Sequence, residues 1–167
     1  MEFAVTVIGH DRVGIVADVA EALARLGANL TDSTMTRLRG HFTMTLICTV
    51  DASVGDLEAA LRPLTDVTVT VREVGPDEPI SDAGEPYVLS VHGADRLGIV
   101  AAVTRAVADA RGNITDLSTR LTGTLYLLIA EIDLSSGTAQ ALAQRLADLE
   151  KSLGVEISLR QAETDVL

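Results

Sequence analysis

The stretch "HDRVGIVADVAEAL", residues 10–23, returns as "ADRLGIVAAVTRAV", residues 94–107, and this repetition decides how the rest of the chain is read. Gly9, Asp11, Arg12, Gly14, Ile15 and Val16 match Gly93, Asp95, Arg96, Gly98, Ile99 and Val100, and "ANLTD" at 28–32 matches "GNITD" at 112–116, all at an offset of 84 residues. Further on, "RGHFTMTLICTVD" and "TGTLYLLIAEID" correspond after two single-residue adjustments, an alignment that sets Asp51 opposite Asp133. A duplication of this kind means that every motif is read twice and that each half must fold as one supersecondary unit.

Within each half the periodicity changes in a fixed order. Phe3 to Ile8 has the β-rich composition of a strand, and Ile15, Val19, Leu23 and Leu26, with Val16 and Ala20 beside them, follow helical spacing until Gly27. "ANLTDSTMTRLRG" returns to Thr-rich, β-branched character, and Gly40 turns the chain into "HFTMTLICTV". Ser53, three residues before Asp56, forms the pattern of a capping box for a second helix that "RP" at 62–63 stops, and "VTVTV" alternates as a last strand. The second half repeats the order with "YVLSVHG", a helix over 97–110, strands around 113–122 and 124–132, a helix over 137–152, and "VEISLRQ" after Gly154.

Each half is therefore a βαββαβ unit. The expected class is α+β, with two ferredoxin-like units in tandem, each an antiparallel four-stranded sheet with both helices on one face. The boundaries predicted are 1–74 for the first domain, 75–86 for a linker, 87–162 for the second domain and 163–167 for a C-terminal tail. The linker "GPDEPISDAGEP" holds three of the four prolines and four acids. Units of this size bury only about 60% of the surface their unfolded chains expose, so pairing two of them is a physical reason for duplication. The edge strand "TDSTMTRLRG" and the open sheet faces point to a homodimer.

Composition excludes several functions. Lys and Arg total 13 against 24 Asp and Glu, for a net charge of -11, so direct binding to nucleic acid would oppose the field of the whole chain. Phe3, Phe42, Tyr87 and Tyr126 are the only aromatics, too few for a platform on which bases stack. Cys48, alone within "FTMTLICTV", reads as a small strand hydrophobe. Neither a signal peptide nor a membrane-spanning run is visible, which gives the expectation of a cytoplasmic location without membrane contact.

Gly9 and Gly14 have the spacing of a phosphate loop, but Ile15 and Val16 stand where Lys and Ser or Thr are needed, and no Gly-x-Gly-x-x-Gly occurs. His10 has Ala94 as its counterpart, His92 falls opposite Ile8, and His41 is unaligned or opposite Thr124, so the histidines form no repeated set. Ser33 and Ser118 sit at comparable places with no His placed to activate them. The expectation is no catalytic residue, no cofactor and no metal.

The repeated turn has two readings. In the plain one Asp11 is the N-cap of a helix that starts near Arg12, and Gly14 permits close packing. In the other, the free N–H groups and positive end of the helix hold a ligand carboxylate while Asp11 pairs with its ammonium, which suits an α-amino acid. Asn29 and Asn113, each beginning a second strand after a glycine, read either as turn residues or as amides that donate to and accept from the same ligand.

Strand, "DRxGIV", amphipathic helix, "GAN" or "GN", and two further strands together resemble the ACT domain, over residues 1–74 and 86–162. The paired arrangement is similar to the glycine cleavage system transcriptional repressor group of tandem ACT proteins. That resemblance implies a non-enzymatic regulatory protein that senses a small amino acid, glycine or similar, where two ACT domains meet. It also implies control of a protein partner, such as a transcription factor or an enzyme.

Carried over position by position, it implies ligand contacts from Asp11, Arg12, Val13, Gly14 and Asn29 in the first repeat and Asp95, Arg96, Leu97, Gly98 and Asn113 in the second. Many amino-acid-binding members carry Asn and Pro in this loop, where this chain has Asp11 with Val13 and Asp95 with Leu97. An acid there repels a carboxylate and attracts an ammonium. Two alternatives stay open: a regulatory subunit of an amino-acid biosynthetic enzyme, and an assembly module without ligand.

Overall fold

The computed structural model describes residues 1–75 and 84–162. The chain divides into two units, Met1–Glu78 and Pro79–Leu167. In the first, β1 (Glu2–His10), α1 (Ile15–Arg25), β2 (Asn29–Leu38), β3 (His41–Thr49), α2 (Val54–Leu61) and β4 (Val67–Val74) follow one another. The second runs β5 (Glu85–Ala94), α3 (Ile99–Asp109), β6 (Asn113–Thr122), β7 (Leu125–Leu134), α4 (Ala139–Leu153) and β8 (Val155–Gln161). Each unit forms one antiparallel four-stranded sheet, ordered β2-β3-β1-β4 and β6-β7-β5-β8. The ferredoxin-like architecture read from the repeat is the one observed.

Alternation along the strands separates the two faces of each sheet. Phe3, Val5 and Val7 of β1 and Phe42, Leu46 and Cys48 of β3 are fully buried under the helices, where Val19, Leu23, Leu57 and Leu61 meet them. The second core repeats this with Leu89, Val91, Leu128 and Ile132 against Val103, Val107, Leu142 and Leu146. The other face of each sheet is left uncovered within its unit. In the first it is largely threonine: Thr6, Thr34, Thr36, Thr43, Thr45, Thr68 and Thr70 share that side by register. In the second, Leu125, Leu127 and Ile129 form an exposed aliphatic row where the first has His41, Thr43 and Thr45.

Three sequence expectations are corrected here. The offset of 84 continues without adjustment through both hairpins, because Leu38 pairs with His41 and Thr122 with Leu125, each across two residues. Only the glycine moves within the turn. Arg39 and Gly40 both have positive φ (49° and 82°), whereas in the second turn Gly123, at the first position, has φ 62°. A two-residue hairpin accepts glycine in either pattern while holding the register. Thr49 is therefore the equivalent of Asp133, in place of Asp51; Leu125 is that of His41; and Leu117 is that of Ser33.

The second correction concerns the boundary, since β5 begins at Glu85 and not at 87. Pro86, at the second position of the strand, lies opposite Asp133 in the ladder with β7, and its carbonyl accepts the Ala162 N–H at 2.8 Å. Proline is compatible with the start of a strand, where a missing N–H breaks little of the ladder. Most of the expected linker, 76–83, and the tail, 163–167, lie outside the described residues.

Third, the helices begin later than their glycines and acids suggest. The capping box of α2 is present, with the Ser53 hydroxyl accepting from the Asp56 N–H and the Asp56 carboxylate accepting from the Ser53 N–H. At α1 and α3, however, the N-cap residues are Gly14 and Gly98, not Asp11 and Asp95, and neither helix has a side-chain cap.

Candidate functional site

The first turn of α1 is built from the end of the sheet. The Asp11 N–H donates to the Gly40 carbonyl at 2.9 Å, which holds Asp11 at the end of the β1–β3 ladder and too early to cap the helix. The chain then passes over Arg12 and Val13 and enters α1 through Gly14 in the left-handed region, φ 84°. The second unit repeats the path: the Asp95 N–H donates to Thr124 at 3.3 Å and Gly98 has φ 88°. In an α-helix the first N–H groups lack intrahelical partners, and here no side chain supplies one. The N–H groups of Ile15 to Ala17 and Ile99 to Ala101 therefore face outward at the positive end of a helix dipole.

Beside them, two apolar side chains are exposed in each unit. Val13 and Leu97 are completely exposed, and Val16 and Val100 retain 40% and 38% of their surface. The helical periodicity places Val16 beside the buried stripe, but Ile15 alone of this pair turns inward. Along the outer side of α3, starting at Gly98, Ala101, Ala102, Thr104, Arg105 and Ala108 line an open cavity of ≈ 720 Å³.

The two loops differ electrostatically. In the first, Arg12 is bound by Asp66 and by Asp18, the latter at 2.7 Å, and Asp11 is paired with Arg37 at 3.1 Å. The Arg12 guanidinium holds the Asp66 carboxyl below its ordinary value, and the two acids raise that of Arg12. By structural equivalence, Asp18 becomes Ala102 and Asp66 becomes Gly154, next to which the Arg96 guanidinium lies. Arg37 becomes Leu121, because the "TRL" triplet of β6 sits one residue earlier in register. A shift of one residue moves a side chain to the opposite face of a strand, and Arg120 is on the open face. Asp95 and Arg96 thus have no ion pair among the described residues.

Asn29 and Asn113 are exposed but are not near these loops within their own units. Asn29 pairs with Thr49, which pairs with Glu2, so about eight residue steps, roughly 27 Å of strand, separate it from the Asp11 end of β1. The next residue but one, Thr31, is skipped by the ladder and its hydroxyl donates to the Ile47 carbonyl at 3.3 Å; Thr115 does the same to Glu131 at 3.2 Å. Asp66 and Arg37 escaped sequence reasoning because long-range strand pairing brings them to the loop, and Asp18, in the first turn of α1, because only one repeat has it.

Cys48 is buried in the first core, and burial pushes its thiol pKa up, as a structural cysteine requires. No helix among the described residues is long and apolar enough to cross a membrane.

Two βαββαβ units, each with an uncapped helix N-terminus behind an Asp-Arg turn, define a tandem module of ferredoxin-like units. The ACT domain model matches residues 2–72 and 85–160, and the chain belongs to the ACT domain family. A UPF0237 protein from Listeria innocua is 38% identical over 65 residues, which is 39% of this chain and 73% of that protein. A crystal structure of an unknown protein from Galdieria sulphuraria is 32% identical, with a TM-score of 0.83 over 96% of this chain and 98% of the other. A second, provisionally described as a glycine cleavage system transcriptional repressor, superposes with a TM-score of 0.70 over 96% of both chains at 21% identity, a likeness of fold.

Proposed function

We propose that this chain is a non-enzymatic amino-acid sensor in which the DRxGIV loops bind a small α-amino acid, glycine or similar, and the bound state is passed to a protein partner such as a transcription regulator. The observation that carries the reading is the recurrence, in both units, of an uncapped helix N-terminus beside an aspartate. The N–H groups and dipole suit a carboxylate, the aspartate suits an ammonium, and the exposed aliphatic pair suits a small apolar side chain. Asn29 and Asn113 lie too far along the strands to reach a ligand at the loop of their own unit, so only a different ACT unit can bring them to it.

The second loop is the stronger candidate for the ligand. Asp11 and Arg12 already have intramolecular partners, so a ligand must compete with Arg37, Asp18 and Asp66, whereas Asp95 and Arg96 have no ion-pair competitor among the described residues. The acidic net charge favours action through another DNA-binding protein over direct contact with DNA.

The test is a thermal-shift screen against the twenty amino acids at about 10 mM. A ligand at 100 times its Kd adds about 2.7 kcal/mol, a shift of roughly 5–10 °C for a chain of this size. Asp95→Ala is expected to abolish the shift, and Asp11→Ala to leave most of it. A selective shift unchanged in both variants removes the loops from the site, and silence with every amino acid favours an assembly module.

A further inference from the structure

His10 and His41 are 31 positions apart in sequence, yet they form the final cross-strand pair of β1 and β3. Their ring centroids are 5.0 Å apart with the planes inclined by 34°. Both side chains are exposed, and neither imidazole has a hydrogen bond or ion pair among the described residues. They open on a cavity of ≈ 340 Å³ that Ile8, Gly9, Asp66 and Thr68 also line. Packing does not account for two facing, unpartnered imidazoles at the rim of an otherwise threonine-rich sheet face.

We propose that His10 and His41 form a site for one divalent late transition-metal ion, Cu2+ or Zn2+ in class. Imidazole nitrogen is a preferred ligand of these ions, at metal–nitrogen distances of about 2.0–2.1 Å. Two imidazoles bound to one ion at angles between square-planar and tetrahedral have centroids about 4.5–5.2 Å apart, given those bond lengths. The observed 5.0 Å lies in that interval, so the cross-strand pair already holds the two rings at the spacing a shared ion requires.

No group of three or more His, Cys, Asp or Glu among the described residues is arranged to hold a metal, so the protein supplies two ligands and leaves the other positions to water or a small chelator. The structural equivalents are Ala94 and Leu125, which cannot ligate. The second unit therefore has no such site, and the stoichiometry is one ion per chain. His92, the remaining histidine, is paired with Glu156 at 2.9 Å in the second unit and serves as an internal control.

The inference does not depend on amino-acid binding and is tested with the metals alone. Full-length, tag-free protein freed of metal by chelator is titrated with Zn2+ by calorimetry and with Cu2+ by electron paramagnetic resonance. One equivalent is expected to bind, with nitrogen hyperfine structure from two imidazoles on Cu2+. His10→Ala and His41→Ala should each weaken binding at least about tenfold, the scale on which metal sites respond to loss of supporting groups. His92→Ala should change nothing. Both residues are exposed, so the variants should keep the wild-type melting temperature, which is measured alongside. Absence of saturable binding, or one equivalent retained in the double His10→Ala, His41→Ala variant, or loss of binding in His92→Ala, overturns the proposal.

Discussion

At the turn into α1 a left-handed glycine stands where a capping side chain is usual, and that substitution of backbone shape for chemistry is what leaves the first helical N–H groups available. Gly14 has φ 84° with open space around its α-carbon, so a methyl group there meets no neighbour and only the backbone conformation resists it. An L-residue in the left-handed region costs roughly 1–2 kcal/mol. Gly14→Ala and Gly98→Ala are each expected to lower stability by about that amount, read from urea midpoints, while Gly14→Asn costs less because Asn tolerates this region. Equal losses for Ala and Asn would mean that side-chain volume, and not φ, sets the cost. Cys48 gives a second residue-level expectation: with no exposed surface, its thiol should react with a disulfide reagent only on unfolding.

At the level of elements, the two units differ in how they hold their helices. Asp56 closes the capping box of α2, and Asp66, between α2 and β4, grips Arg12 at the entrance to α1. The Ser53 hydroxyl and N–H keep the Asp56 carboxyl below the ordinary 3.8, and Arg12 does the same for Asp66. A carboxyl depressed on folding binds fewer protons than in the unfolded chain. Its contribution is therefore complete above the unfolded value and is lost as pH falls through the lower, folded one. The counterpart of Asp66 is Gly154, and α4 has no side-chain cap at Thr138. Amide exchange followed from pH 5 to pH 2 should show α1 and α2 loosening before α3 and α4. The Asp66→Asn variant should have a flatter acid profile below about pH 4 than the wild type. Simultaneous loosening of all four helices would contradict this assignment.

The same comparison shows what the sequence makes legible. Strand order, helix count and the position of the Asp-Arg turn follow from local pattern and repetition, because alternation and helical period are local properties. Sequence alone places the start of α1 too early, because Asp11 has the look of an N-cap and only the fold shows its N–H extending the ladder to Gly40. Matching the two hairpin glycines to each other misaligns the turns, because the register is fixed by side-chain alternation and either turn position accepts glycine. The pairing of Arg12 with Asp66, and of His10 with His41, joins residues brought together only by strand pairing, and one sequence without its fold has no local signal for either.

At the scale of the whole molecule, 24 acids against 13 bases leave an excess of negative charge that dissolved salt screens. Any proposed self-association must gain enough from apolar contact to offset it. Light scattering is expected to give twice the 17.6 kDa of one chain. A Leu127→Glu substitution, in the middle of the aliphatic row, should return the protein to the single-chain mass without unfolding it. A monomeric wild type removes the homodimer.

In the proposed homodimer, the difference between the two sheet faces, each uncovered within its own unit, bears on growth. A chain with aliphatic rows on both would have two adhesive ends and could add copies without limit, as fibres do. Here one face is largely threonine, whose hydroxyls are well hydrated, and the other has the row Leu125, Leu127 and Ile129. If the aliphatic row is the contact of the proposed homodimer, a chain with one such row stops growing once that row meets its like, and the difference between the two faces then sets the limit of assembly at two copies.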